Sequence, residues 1–167
     1  MGAQVTEAHS PSPFNSALEC GLRSLIILSE AHPDAYDLQR LVFCDYLLVH
    51  SGDADGPPSL HPATPHRSGE ALVRRDLVER GLKLMVTKGL VEQVFDVEGI
   101  KYSASGQAQS LLGCLKSGYT ARMMRTAEWV VAEFGPRSLD DLRRLFDTNL
   151  GKWGGEFHFE ALLRGPE

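Results

Sequence analysis

The run Lys88-Gly89-Leu90-Val91-Glu92-Gln93-Val94-Phe95-Asp96-Val97-Glu98-Gly99-Ile100-Lys101-Tyr102, with the segment from Ser68 ahead of it, organises the chain. Glu70 to about Lys88 reads as one long helix, and Gly89 stands where a left-handed helix cap is expected. Leu90 to Phe95 alternates loosely as a strand does, Asp96-Val97-Glu98-Gly99 has the composition of a turn, and Ile100-Lys101-Tyr102 is a return strand. Tyr102-Ser103-Ala104-Ser105-Gly106-Gln107 then leads into another helix. A long helix, a hairpin and a further helix are the local plan of a winged helix-turn-helix. The expected fold is therefore mainly α with a small β-hairpin, a winged helix-turn-helix core carrying additional helices.

The chain has 167 residues, 43% of them apolar and 23% charged, as soluble globular domains do. Its formal net charge of -5 disfavours unaided capture of DNA, because that binding rests on neutralising phosphates. No apolar run reaches the ~18 residues that a bilayer span needs, and the N-terminus carries no charged-then-apolar leader. These features predict no membrane contact and a cytoplasmic location. Cys20, Cys44 and Cys114 are odd in number and far apart, each within a helical pattern, which predicts buried reduced thiols.

The organisation expected from this is a flexible arm over residues 1–13, a single winged-helix domain over 14–148 and a tail over 149–167 whose structure the sequence leaves open. Within the domain, 50–67 is a long proline-rich loop and 90–103 is the wing. Ser16 and Glu19 have capping-box spacing ahead of an apolar helix, whose stripe of Leu18, Leu22, Leu25 and Ile26 is flanked by Ile27 and Leu28. That helix needs cover on more than one side, and His32-Pro33 ends it.

Asp37 caps a second helix running to about His50. At ~100° per residue, Leu38, Leu41, Val42, Leu48 and Val49 share one face, with Asp45 in its middle. On the long helix, Arg74 projects from the apolar face made by Ala71, Val78, Leu82 and Met85. An unpaired buried carboxylate costs several kcal/mol, so Asp45 and Arg74 are expected to form a structural ion pair. Arg75 is the second candidate, and a hydrated Asp45 at the helix edge is the alternative.

Ser51 to Arg67 contains Pro57, Pro58, Pro62 and Pro65 together with Gly52 and Gly56, which forbid regular structure over most of its length. His50, Asp53, His61 and His66 match no short metal-ligand spacing, and no metal is predicted. A proline-braced loop that packs on the domain or docks a partner is the expected outcome. Beyond the wing, Ser105 to about Leu115 and Thr120 to Phe134 read as helices, as does Leu139 to about Asp147 after Ser138 and Asp141. The inward face of the second of these is Met123, Met124, Ala127, Val130, Val131 and Phe134. Trp129 falls opposite, beside Arg122 and Arg125, and is either offered to a partner or covered by the C-terminal segment around Trp153 and Phe157.

One resemblance is specific to longer runs. Leu41-Val42-Phe43-Cys44-Asp45-Tyr46-Leu47-Leu48-Val49-His50-Ser51-Gly52-Asp53, then Ser59-Leu60-His61-Pro62, Pro65-His66-Arg67-Ser68-Gly69-Glu70 and Val73-Arg74-Arg75-Asp76-Leu77-Val78-Glu79-Arg80-Gly81-Leu82, resemble the small middle components of bacterial ABC-three-component systems. The resemblance spans roughly Leu18 to Phe146. Such operons also encode an SMC-like ATPase and a third component that is often an effector, and they include Lamassu-type anti-phage defence. The resemblance implies a non-catalytic accessory subunit that binds the ATPase and helps couple it to DNA or to the effector, with DNA contact possible only within the complex. No cofactor is predicted.

On that reading Trp129, Arg122, Arg125, His61 and His66 form the expected partner-binding surface. The alternative is a winged-helix transcriptional regulator, for which Arg80, Lys83 and Lys101 are the candidate DNA contacts. Asp76, Glu79, Glu92, Asp96 and Glu98 crowd those cations and weaken that reading. An enzyme is disfavoured, since no serine or cysteine has a nucleophile context and no glycine-rich phosphate loop is present.

Overall fold

The computed structural model describes residues 16–61 and 70–149, with side chains described from Arg74 onward in the second stretch. The expected arm over 1–13, nearly all of the expected tail over 149–167, and His66 lie outside the described residues. The chain is mainly helical, with a small antiparallel sheet. Helix α1 spans Ala17–Ala31, capped by Ser16, whose hydroxyl accepts from the Glu19 amide at 3.2 Å. Strand β1, Tyr36–Asp37, runs directly into α2, Leu38–Val49, which Asp37 caps by accepting from the Arg40 amide at 2.8 Å.

Helix α3 spans Glu70–Thr87. Gly89, at φ +69°, ends it, with the Gly89 and Leu90 amides donating to the Val86 and Met85 carbonyls. Strands β2, Val91–Asp96, and β3, Gly99–Ala104, form the hairpin, and α4, Ala108–Cys114, α5, Gly118–Phe134, and α6, Leu139–Asn149, complete the described chain. Ser117 caps α5 by accepting from the Thr120 amide, so the Ser117-Gly118 pair starts a helix as well as separating two. Ser138 caps α6 and shares a hydrogen bond with Asp141.

The sheet order is β1-β3-β2, with Tyr36 opposite Tyr102 and Val91 opposite Ala104. The order α1-β1-α2-α3-β2-β3 with this pairing is compatible with a winged helix-turn-helix. Strand β1 was not expected, because two residues at a helix cap carry no alternation that a sequence pattern can register.

The core centres on α1 and α2. In α1, Leu25, Ile26, Ile27 and Leu28 are all buried, since α3, α5, α2, α4 and β3 surround that helix. Every residue of α2 from Leu41 to Val49 is buried. At ~1.5–3 kcal/mol for each large apolar side chain removed from water, these two helices supply a large share of the burial that positions everything else. Phe43 and Tyr46 of α2 pack against Phe146 at centroid distances of 4.6 and 5.4 Å, which fastens α6 to the core. Arg40 joins α2 to the end of α5 by donating to the carbonyls of Phe134, Gly135 and Arg137. A cation at the carbonyls that end α5 also complements the helix dipole.

Two expectations require correction. Cys20 and Cys44 are buried and their thiols are pushed up to about 12 by burial, but Cys114 is exposed, because it ends the short α4 on its outer side. The buried stripe of α5 includes Thr126 along with Met123, Ala127, Val130 and Phe134. Its centre is therefore rotated toward Thr126, which puts Trp129 on the flank of the core face rather than opposite it.

Candidate functional site

Asp45 is wholly buried at the meeting of three helices. Its Oδ1 accepts from Arg23 Nε of α1 at 2.6 Å, and its Oδ2 accepts from Arg23 Nη2 at 3.2 Å and from Arg74 Nη1 of α3 at 2.5 Å. Arg23 and Arg74 are themselves only 1% and 4% exposed. Arg74 also stacks over Tyr46, with its guanidinium carbon 5.5 Å from the ring centroid, and Tyr46 donates its hydroxyl proton to Asp53 Oδ2 at 2.7 Å. Arg23 was missed in the sequence. It had left a signal, as a single cation inside the apolar run Leu22 to Leu28.

Burial alone would raise the Asp45 carboxyl, but the charges of Arg23 and Arg74 and their hydrogen bonds outweigh it and hold the pKa below the ordinary carboxylate value. The folded state therefore prefers the ionised Asp45 more than the unfolded chain does. Its stabilisation is present above the unfolded pKa of ~3.9 and is lost as pH falls toward the lower folded value. The stability gap between wild type and Asp45→Asn should be widest at neutral pH and should narrow as pH falls below ~4, closing by at most about 1.4 kcal/mol per pH unit. A gap that stays constant down to pH 2.5 would contradict this assignment.

The first part of the proline-rich loop is ordered by its own hydrogen bonds. His50 is buried, Ser51–Ala54 forms a 3-10 turn, and Asp55 adopts φ 57°. The Ser51 hydroxyl donates to the Pro57 carbonyl at 2.8 Å, and the Leu60 and His61 amides both donate to the Val49 carbonyl. This closed loop lies against α5. His61 Nε2 is 3.1 Å from the Tyr119 hydroxyl, and Gly56 sits so close to the Trp129 indole that a Cβ there would overlap the ring. The other side of Trp129 meets Phe134 edge-on at 5.4 Å. The indole is therefore half-buried between the loop and its own helix, while Arg122 and Arg125 remain exposed beside it. Trp153 and Phe157, the other expected cover, lie outside the described residues.

The candidate DNA-contacting cations are all engaged by nearby acids. Arg80 pairs with Asp76 at 2.9 Å, Lys83 with Glu79 at 3.2 Å, and Lys101 with Asp96 at 2.9 Å and Glu98 at 2.5 Å. Such exposed pairs are weak, yet phosphate would have to displace an acid at each of them. Among the described residues no three His, Cys, Asp or Glu side chains are grouped as metal ligands, and no helix is long and apolar enough to cross a membrane.

Neither a curated protein nor a solved structure matches the chain. A family model does, over residues 13–156, and with all of the described fold inside that match the chain belongs to the ABC-three component (ABC-3C) system Middle Component 2 family.

Proposed function

We propose that this protein is the non-catalytic accessory subunit of an SMC-like ATPase complex in bacterial anti-phage or anti-plasmid defence, bridging the ATPase to an effector or to DNA. The observation that carries the proposal is family membership, which makes the chain one component of a three-component system and implies that it acts with the others. The engagement of Arg80, Lys83 and Lys101 by neighbouring acids supports a role exercised through protein surfaces. The residues at 14–148 act as one winged-helix unit in this proposal. The outer side of α5, with Arg122, Arg125 and the open part of Trp129, is one docking face, with His61 of the loop beside it, and His66, which lies outside the described residues, is proposed as a further contact.

Co-purification of the tagged full chain with the other two components of its own system tests this. The ATPase should be retained. The double change Arg122→Glu and Arg125→Glu should weaken retention about tenfold with an unchanged melting temperature, because both side chains are exposed. Trp129→Ala is less diagnostic, since the ring also packs on Phe134 and Gly56. The purified chain alone should bind duplex DNA no tighter than ~10 µM at physiological salt. A sequence-specific nanomolar footprint from the isolated chain would replace the proposal with the transcriptional-regulator reading.

A further inference from the structure

The β2–β3 hairpin extends past the core it covers. Side chains alternate between the two faces of a strand, and on the inner face Val91, Tyr102 and Ala104 are buried. Farther out on that same face, Phe95 stands directly opposite Ile100, yet these two are 71% and 47% exposed. Val97 at the turn is fully exposed and Val94 on the other face is partly so. Of the five large apolar side chains recorded as exposed among the described residues, four therefore lie on this one hairpin, and concentration of that kind marks interaction sites where scattered exposure does not.

Charge narrows the occupant. Asp96 and Glu98 form an acidic collar at the apolar tip, and Lys101, the one cation of the hairpin, is already held by both. Beside the tip a groove of about 470 Å³ runs between the hairpin and the starts of α2 and α6, with Leu38, Ile100 and Leu139 in its lining. Duplex phosphate would be repelled by the acidic collar. A second copy would set the same acids against each other, even though β2 is an edge strand that could otherwise pair. Taken together, the parts of this chain outside the described residues offer no net positive charge. Residues 1–15 have Glu7 as their one charged side chain, residues 62–69 have Arg67, and residues 150–167 carry Glu156, Glu160 and Glu167 against Lys152 and Arg164.

We infer that the hairpin tip, Phe95, Val97 and Ile100, inserts into an apolar pocket rimmed by lysine or arginine on another protein component of the same system. This rests on the reading of the chain as a subunit of a complex, but the contact it names is separate from the α5 face. The test uses the full chain assembled with the other two components. With p-benzoylphenylalanine in place of Phe95, irradiation should cross-link this subunit to one of those components, at a peptide with basic residues near the attachment point. Phe95→Ser with Ile100→Ser should weaken assembly at least about tenfold without lowering the melting temperature, since both side chains are exposed. Glu98→Lys should weaken it about threefold, and raising salt should weaken wild-type assembly. Cross-links only to a second copy, to residues 150–167 of the same chain or to DNA would overturn the inference, as would affinity within twofold of wild type for the double variant. If wild-type assembly is normal and the double variant matches it, the hairpin contact fails while the proposed function stands. If wild type assembles with neither component, both fail.

Discussion

Asp45→Ala is expected to lower stability by about 3–5 kcal/mol, the range for removing one member of a buried ion pair. Two guanidiniums, on α1 and α3, converge on that carboxylate, and neither has appreciable access to water. With Asp45 gone, the carboxylate that separates and neutralises the Arg23 and Arg74 guanidiniums is lost, and two cations repel each other in a low-dielectric setting. The loss is large against the ~5–15 kcal/mol total of an ordinary domain, and it should appear as a fall of roughly 10 °C or more in melting temperature. Asp140→Ala is the matched control, because Asp140 is exposed and pairs only with Arg143 at the surface. That variant should stay within ~0.5 kcal/mol of wild type. Replacing the whole cluster together, Arg23→Met with Asp45→Leu and Arg74→Met, should recover most of the loss, because no buried charge is then left alone. A drop below about 1 kcal/mol for Asp45→Ala would mean that the carboxylate is not what holds the two arginines in place.

That cluster also marks how far the sequence could be read. Asp45 on an apolar stripe announces a need for a cation, and helical periodicity supplies Arg74, because both signals are local. Arg23 comes from a third helix, and only the packing of α1 against α2 and α3 brings it within 2.6 Å of the carboxylate. Caps were legible for the same reason, as Ser16 and Asp37 each accept from the amide three residues on. The loop is the converse case. Its prolines and glycines excluded helix and strand, but nothing in them foretold that Gly56 would lie on Trp129 or that His61 would reach Tyr119. The half-burial of the indole follows from that long-range contact and from a rotation of α5 too small for a periodicity argument to resolve. The hairpin was legible from the loose alternation of Leu90 to Phe95 and the return at Ile100, yet alternation does not say where the core beneath the strands stops, so the exposure of Phe95 and Ile100 was not.

Gly81→Ala is expected to destabilise the protein by about 2 kcal/mol, even though alanine is the better helix former by up to ~1 kcal/mol. Helices α1 and α3 cross at Gly21 and Gly81. A Cβ on Gly81 would stand 2.6 Å from the Ala17 carbonyl oxygen and 2.8 Å from Gly21 Cα, and a Cβ on Gly21 would stand 2.7 Å from the Gly81 carbonyl oxygen. Real Cβ atoms do not approach that closely, and the neighbours are helix backbone, which cannot rotate aside as a side chain can. The two helices would have to separate by several tenths of an ångström. That shift loosens packing around Leu25, Val78 and Leu82, and it lengthens the bridge from Arg23 through Asp45 to Arg74, because α1 and α3 carry its two ends. Steric cost and weakened ion pairing thus act together against the propensity gain. Gly113→Ala in α4 separates the two effects, since nothing lies within 4 Å of the position its Cβ would take. There the propensity gain should stand alone, raising stability by ~0.5–1 kcal/mol. Opposite signs for the two substitutions in thermal melts are the expected result, and a stabilised Gly81→Ala would show that the crossing has slack that the backbone distances deny.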